Sequence, residues 1–378
     1  MVIQLQNQYM IQVSIGDKSD FILQEDFKDF VYIESACQML PTINLKFVLR
    51  DMSILKLINE GNPLVVGVGR TALELIEMRF KLALDQNANQ ASVGQELSLR
   101  GVLYAPEFTI EEKTRVFSNK TSLEVLKEVS SKYFKFVTNI SKTIDRQTWR
   151  QGSVSDWSFL KDVALHSFID TNTFINFSFD SSNCYFYDIR ECFKNPNTIW
   201  QFSKSAVSGE NSKVINFNSS RMVNNYGLHN LIAGYNFDDT LYGLSSYESA
   251  KLSPKLKSFS AVDTTYLNIL KEHTTVRNFM YKSRNTHENY DLAKLQNLRN
   301  LIVSSSVKTL VTFGGQFKKL KLLDVCQFDQ ASSEIRNSGY QLVSRIVYQV
   351  TENRLMTNVV LVREAPNSIR GDLVKVER

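Results

Sequence analysis

The sequence predicts an α+β protein that is mainly β, with a small β-barrel towards each end and an α/β unit inserted between them. Turn-broken apolar runs on the N-terminal side, a switch to helical spacing at Asn119 and renewed alternation near the C-terminal side carry that expectation. Closing the strands of each end into a barrel removes exposed edges. The domains expected are 1–118 for the first barrel, completed by 205–250, then 119–204 for the insert and 251–378 for the second barrel with a helical connector.

In the first domain, Ile43, Leu45 and Phe47 alternate with Asn44, Lys46 and Val48, as a half-buried strand requires. Glu60, Gly61, Asn62 and Pro63 form a turn into Leu64–Gly69, a run apolar on both faces. Leu73–Leu84 and Glu96–Tyr104 are further strands, and the polar stretch Asp85–Gly94 between them is a loop. In the insert, Thr121 and Glu124 make a capping box for a helix whose buried face is Leu123, Leu126, Val129 and Tyr133. A polar linker containing Arg146, Trp149, Arg150, Gln151 and Gly152 leads to a second helix, Ser155–Phe168. Ser153 with Asp156 fits a capping box there, and Ser155 is the other N-cap candidate. Trp157, Leu160, Val163, Ala164, Ser167 and Phe168 form its apolar stripe; Ser158, Lys161, Asp162 and His166 fall on the solvent side. Trp157 is expected to organise the packing, with Trp157→Ala costing about 3–5 kcal/mol. Thr173–Phe179 and Cys184–Ile189 are strands around a turn at 180–183.

Beyond the insert, Val214, Ile215 and Phe217 suggest one strand and Leu231–Tyr235 another, ending in a turn at Asp238 and Asp239, with a connector around Pro254. Leu292, Leu295, Leu298 and Leu301 give helical spacing over 289–302. Leu310–Phe313, Leu320–Phe328, Tyr340–Val350 and Met356–Val362 are strands, separated by turns at Gly314-Gly315, Asn337-Ser338-Gly339 and Glu352-Asn353. Tyr340, Leu342, Ile346, Tyr348 and Val350 are placed on one face, and a charged tail runs from Arg363 to Arg378.

At 378 residues the chain exceeds one typical core. Its 43% hydrophobic and 22% charged residues are globular values, which argues against disorder. The net charge of +5 is spread along the chain and gives no argument for nucleic-acid binding. Cys37, Cys184, Cys192 and Cys326 form no CxxC pair and are read as buried free thiols. Met1–Met10 lack a basic start followed by an apolar run, and no window of about eighteen apolar residues occurs, so neither a secretory signal nor a transmembrane helix is expected. The protein is expected to be made in a cytoplasm and to have no membrane partner.

No HExxH, GxSxG, P-loop or dinucleotide fingerprint is present. Gly67-Val68-Gly69 reads as a tight strand or bulge. Asp162 and His166 are four apart on one helix face, either an acid-base pair or solvated neighbours, and the second reading is preferred. His287-Glu288 has no second histidine at ligand spacing. Lys318, Lys319 and Lys321, close behind Lys308, form the densest basic cluster, with Phe317 and Tyr281 as aromatics able to stack on bases; a solvated strand face or a charged edge that blocks unwanted pairing is the preferred reading. No catalytic, cofactor-binding or metal-ligating residue is assigned.

Two groups of residues do form a signature. The first is a helix opened by Thr121, a linker reaching Gln151, then Ser155, Asp156, Trp157, Phe159 and Leu160, followed by Val163 and Ala164. The second runs through the C-terminal strands as Gly339, Tyr340, Val343, Val347, Thr357, Leu361 and Arg363. In these residues the chain resembles the hub proteins of contractile injection machines: the baseplate hub of contractile-tailed phages, the late control protein of temperate phages and the hub half of VgrG spikes. His166–Ile169 departs from the pattern, lacking the glycine that commonly closes the helix. The resemblance implies two tube-type barrels per chain and a homotrimer presenting six of them, which adapts a sixfold tail tube to a threefold spike. It also implies tail tube protein, a separate central spike protein, tape measure protein and baseplate wedge components as partners, with DNA only in transit, and a place in the virion tail. The rival readings are the hub of a tail-like injection particle and a virion-associated cell-wall hydrolase using Asp162 and His166.

Overall fold

Alternating apolar residues become antiparallel ladders in the computed structural model of the protein. It describes residues 9–16, 27–37, 39–49, 56–71, 73–90, 95–103, 106–170, 173–204, 213–224, 237–242, 249–252, 275–280, 286–290, 292–294, 296–297, 307–329, 340–351 and 354–363. The first strands are β1 (Met10–Ile15), β2 (Phe27–Ser35), β3 (Thr42–Leu49), β4 (Pro63–Gly69), β5 (Ile76–Gln90) and β6 (Gln95–Val102), followed by a single helical turn, α1 (Pro106–Thr109). The insert contains β7 (Glu112–Lys120), α2 (Ser122–Ser130), β8 (Lys135–Thr138), β9 (Gln147–Ser155), α3 (Asp156–Leu165), β10 (Ile175–Phe179), β11 (Asn183–Asp188) and α4 (Ile189–Lys194). Then come β12 (Ile199–Ser203), β13 (Val214–Asn216), β14 (Ser219–Asn224), β15 (Phe237–Tyr242), β16 (Ser249–Leu252) and β17 (Thr275–Met280). The last strands are β18 (Val307–Gly314), β19 (Val325–Phe328), β20 (Gln341–Thr351) and β21 (Arg354–Arg363).

The N-terminal strands pair antiparallel in the order β1-β4-β5-β6-β3-β2. The sheet continues beyond β2: β20 lies against it, Asp29 opposite Thr351 through to Ser35 opposite Arg345, and β21, β18 and β14 follow β20. β19 pairs with the start of β20, and β12 and β13 extend the sheet from there in parallel. Among the described residues no ladder joins the ends of this path. One core lies within it, where Phe30, Tyr32, Phe47, Phe80 and Leu99 from the first part meet Phe313, Ile346, Tyr348 and Leu361 from the last. Packing leaves no room for a side chain at Gly101, where a Cβ would stand 2.6 Å from Ile43 and 2.8 Å from Leu64. Gly61 provides the positive φ (82°) of the turn before β4.

The insert has its own core. Phe117, Leu126, Val129, Trp149, Phe159, Leu160, Phe179 and Phe186 pack between α2, α3, the β7–β9 ribbon and the β10–β11 hairpin. The expected hairpin is there, β8 adds to it in parallel, and Phe179 opposite Ser35 joins it to the main sheet. Among the described residues no helix is long and apolar enough to cross a membrane.

Several expectations are corrected. The polar stretch from Asp85 is strand as far as Gln90, because main-chain pairing with β6 extends the hairpin past the apolar residues. The linker around Trp149 is β9, paired with β7. Residues 320–324 turn rather than run straight, and only Val325–Phe328 is strand. Leu342 does not share a face with Ile346: a bulge between Val343 and Arg345 shifts the alternation, so Val343 joins the main core and Leu342 packs with Phe174, Ile189 and Phe193. Of the 205–250 stretch expected to complete the first barrel, β13 and β14 pair with β12 and β18, in the other half of the sheet. Asp238 and Asp239 lie within β15, which pairs with β16 and β17 in a separate sheet, rather than in a turn. In α2 the buried apolar residues are Val125, Leu126 and Val129; Leu123 is half-buried and Tyr133 lies past the helix end. Leu231–Tyr235, Pro254, Tyr281, Leu295, Leu298, Leu301, the Asn337-Ser338-Gly339 and Glu352-Asn353 turns and the tail beyond Arg363 lie outside the described residues.

Candidate functional site

Gln151, Ser155 and Asp156 of the signature meet at the start of α3. Ser155 is its N-cap, accepting a hydrogen bond from the Ser158 N–H at 3.3 Å, while Ser153, expected as a capping partner, lies on β9 with φ of 51°. Asp156 is therefore not the acid of a capping box but the first helical residue, where the positive end of the helix dipole favours a carboxylate. Its side chain is completely buried. Oδ1 accepts from the Arg115 guanidinium and from Gln151 Nε2 at 3.0 Å; Oδ2 accepts from the Tyr133 hydroxyl at 2.9 Å and Lys113 Nζ at 3.2 Å. Gln151 completes the cluster, its Oε1 accepting from Arg115 Nε at 2.9 Å and its Nε2 donating to the Val154 carbonyl at 2.7 Å. Partial burial works against the charge on Lys113, but Tyr133, Glu111 and Asp156 outweigh it and hold its pKa above the ordinary lysine value. Gln151 and Asp156 are thus partners in one network, and Lys113 and Arg115 are the residues that sequence reasoning missed. Their signal was two cations spaced by two, one face of a strand.

Below the network Phe159 stacks on Phe117, ring centroids 5.5 Å apart, and Leu160 is fully buried. Trp157 is different: it is half-buried, with Lys161 Nζ 3.8 Å from its ring centroid. The aromatic anchor of α3 is Phe159, which the stripe assignment had left out. Thr121 caps α2 in a complete capping box with Glu124, as expected. In the C-terminal group, Thr357 Oγ1 donates to the Gly315 carbonyl at 2.7 Å, Arg363 is completely buried at the end of β21 and Tyr340 is half-buried; Gly339 lies outside the described residues. These residues are in the main sheet, apart from the α3 network.

The basic cluster is dispersed, not a charged edge. Lys318 sits in a turn with positive φ at Gly315, Gln316 and Lys318 (70°, 68° and 55°) and sends its ammonium inward to the Glu34 carboxylate, with the Tyr32 hydroxyl at 3.1 Å and Ser181 Oγ at 3.3 Å. Burial pushes the Lys318 ammonium down to about 7, against which the Glu34 carboxylate favours the charged form. Phe317 packs edge-on against Tyr348 at 4.7 Å. Lys319 lies over the Trp200 ring at 5.6 Å, and Lys321 lines a groove of about 740 Å³ together with Lys135, Tyr185, Tyr187, Trp200 and Asp324. Burial raises the pKa of Asp324, which accepts from Trp200 Nε1 at 3.0 Å and the Lys321 N–H at 2.9 Å.

His166 and Asp162 do meet, Nδ1 to Oδ1 at 3.3 Å, but Nδ1 is closer to the Asp162 carbonyl (2.8 Å), and the buried imidazole stacks on Tyr290 at 3.8 Å. His166 is therefore part of the helix end rather than of its solvent side. Among the described residues no group of three or more His, Cys, Asp or Glu is arranged to hold a metal ion. All four cysteines are free; Cys184 and Cys326 are buried, and burial pushes both thiols up, whereas Cys37 and Cys192 are only half-buried, against expectation.

No protein-family model and no curated protein sequence matches the chain. Solved structures do. The 43 kDa tail protein of prophage MuSo2 from Shewanella oneidensis superposes with a TM-score of 0.59 at 12% identity, over 95% of this chain and 99% of that one. A tail protein from Neisseria meningitidis matches with a TM-score of 0.56 at 10% identity, over 94% and 97%. A chain of the Francisella PdpA-VgrG complex matches with a TM-score of 0.51 at 9% identity, over 96% of this chain and 59% of that one. Identity this low with coverage this high establishes a shared architecture: over nearly its whole length the chain has the fold of phage tail proteins, a fold that also occurs within a PdpA-VgrG complex.

Proposed function

We propose that the chain is a structural hub of a phage tail, or of a tail-like injection particle, and acts mechanically rather than as an enzyme. The observation that carries this reading is the fold likeness to the 43 kDa prophage tail protein over essentially the full length of both chains. In this role three copies assemble, and their barrels, from residues 1–118 and 251–378, adapt a sixfold tail tube to a threefold central spike. The partners are then tail tube protein, a central spike protein, tape measure protein and baseplate wedge components, all within the virion tail. DNA passes through the channel without being held, which suits a chain of net charge +5. In the insert, the Gln151–Asp156 network keeps α3 in place against the β7–β9 ribbon.

Size-exclusion chromatography with light scattering at micromolar concentration, alone and with a tail tube protein, tests the reading. A particle of three chains, and rings in electron micrographs, is the expected result. A strict monomer under both conditions overturns it.

A further inference from the structure

Helix α3 ends at His166 (φ −96°, ψ 6°) without a left-handed glycine cap. The last carbonyls of a helix have no donor within it, and here they are served from far along the chain. Asn297 Nδ2 donates to the Leu165 carbonyl at 2.9 Å and the Ser167 carbonyl at 3.0 Å. His287 Nε2 lies 3.0 Å from the His166 carbonyl, and the His287 N–H donates to Gln147 Oε1 at 2.9 Å. Gln296 Nε2 donates to the carbonyls of Asp170 (2.8 Å) and Thr173 (2.9 Å), and Tyr290 lies flat on the His166 ring. Residues 290, 292–294 and 296–297 are helical, part of the connector expected at 289–302. Together with His287 they form a strap across the C-terminal end of α3, replacing the missing glycine cap.

We propose that this strap is an acid-released latch, with His287 as its titrating residue. A carbonyl only accepts, so Nε2 must carry the proton and Nδ1 of the neutral ring is bare. Nδ1 is buried with no hydrogen-bond partner. Protonation would place a second N–H, and a charge, where no acceptor stands. The rings of Tyr290 and Trp149 flank His287 at 5.5 and 6.2 Å. Burial is the largest influence on its pKa and lowers it; the His166 carbonyl and Asp145 oppose this, the His166 ring adds to it, and the net direction is downward. Asp162, exposed, faces His166 rather than His287, and the neighbouring Glu288 is exposed. With the docked pKa below the free value of about 6.5, the released strap takes up the proton more readily. Docking is therefore complete above about pH 6.5 and weakens by up to about tenfold per unit as the pH falls towards the docked value.

Hydrogen exchange read by mass spectrometry on the full chain, at pH 7.5, 6.0 and 5.0 and corrected for intrinsic exchange rates, tests the latch. Peptides covering 286–297 and 165–168 are expected to lose protection at the lower values while those of β20 and β21 keep theirs. His287→Gln retains a donor for the His166 carbonyl and cannot titrate, so its strap should stay docked at pH 5.0. Asn297→Ala should loosen the end of α3 at every pH. Protection in the native chain that is unchanged between pH 7.5 and 5.0, or lost equally in His287→Gln, overturns the latch. An Asn297→Ala chain as protected as the native one overturns the strap itself.

Discussion

At the scale of single residues, Asp156 has the most at stake. Removing one partner of a buried ion pair leaves the others desolvated and uncompensated. Asp156→Asn keeps the shape and should cost about 3 kcal/mol in urea unfolding; a loss under 1 kcal/mol would show that Arg115 and Lys113 find water instead. Asp188 has a different signature. It caps α4, accepting from the Arg190 N–H at 2.9 Å and the Phe174 N–H at 3.2 Å, and burial, the largest influence, raises its pKa to about 6. The unfolded value is about 3.9, so between pH 4 and 6 the folded chain binds more protons. The Asp188 contribution therefore falls as pH rises through that window, by on the order of 2 kcal/mol. Denaturation of the native chain and Asp188→Asn at pH 4, 5, 6 and 7 measures it, and parallel curves for the two would refute it. Gln151 and Asp156 were legible in the sequence as a pattern but not as a contact. Their cations come from β7, some forty residues earlier, and no local spacing reports a partner on another strand.

At the scale of elements, α3 separates what periodicity reveals from what it hides. Spacing placed the helix and its Leu160, Val163 and Ala164 face correctly. It also put Trp157 fully inside, because spacing does not separate a buried ring from one that packs at the edge of the core with a lysine ammonium over it. Phe159→Ala should cost about 3–5 kcal/mol and Trp157→Ala about 1–2. Thermal denaturation of the two variants side by side checks the order; a larger shift for Trp157→Ala restores the tryptophan as organiser. Strands with apolar residues to bury, β3 through alternation and β4 as a continuous apolar run, were legible, whereas β9 and the outer half of β5 were not. Both segments are mostly polar and are held as strand by main-chain pairing, with Trp149 the one apolar residue that β9 sends into the insert core, and composition does not record that pairing. The bulge in β20 is equally silent, since the inserted residue is an ordinary serine.

At the scale of the whole molecule, the mainly β class was legible but the joining of the two ends into one sheet was not. Local alternation fixes which residues face inward and says nothing about which distant strand they face. Tyr348 marks the join: fully buried on β20, it stacks on Tyr32 of β2 at 6.1 Å and its hydroxyl accepts from the Lys318 N–H at 3.1 Å. Tyr348→Ala should cost about 3–5 kcal/mol. It should also speed hydrogen exchange in β3 and β21 by the same factor, because both share one core; acceleration confined to β21 would mean the halves open separately. The β2–β20 ladder also sets a timetable. The ribosome makes β2 early and β20 roughly 300 residues later, which at about 5–20 residues per second leaves one side of β2 waiting about 15–60 seconds for its mate. During that interval a nascent chain displays a bare strand edge, a template for neighbours on the same polysome, and a chaperone or a provisional pairing has to cover it until β20 has been made.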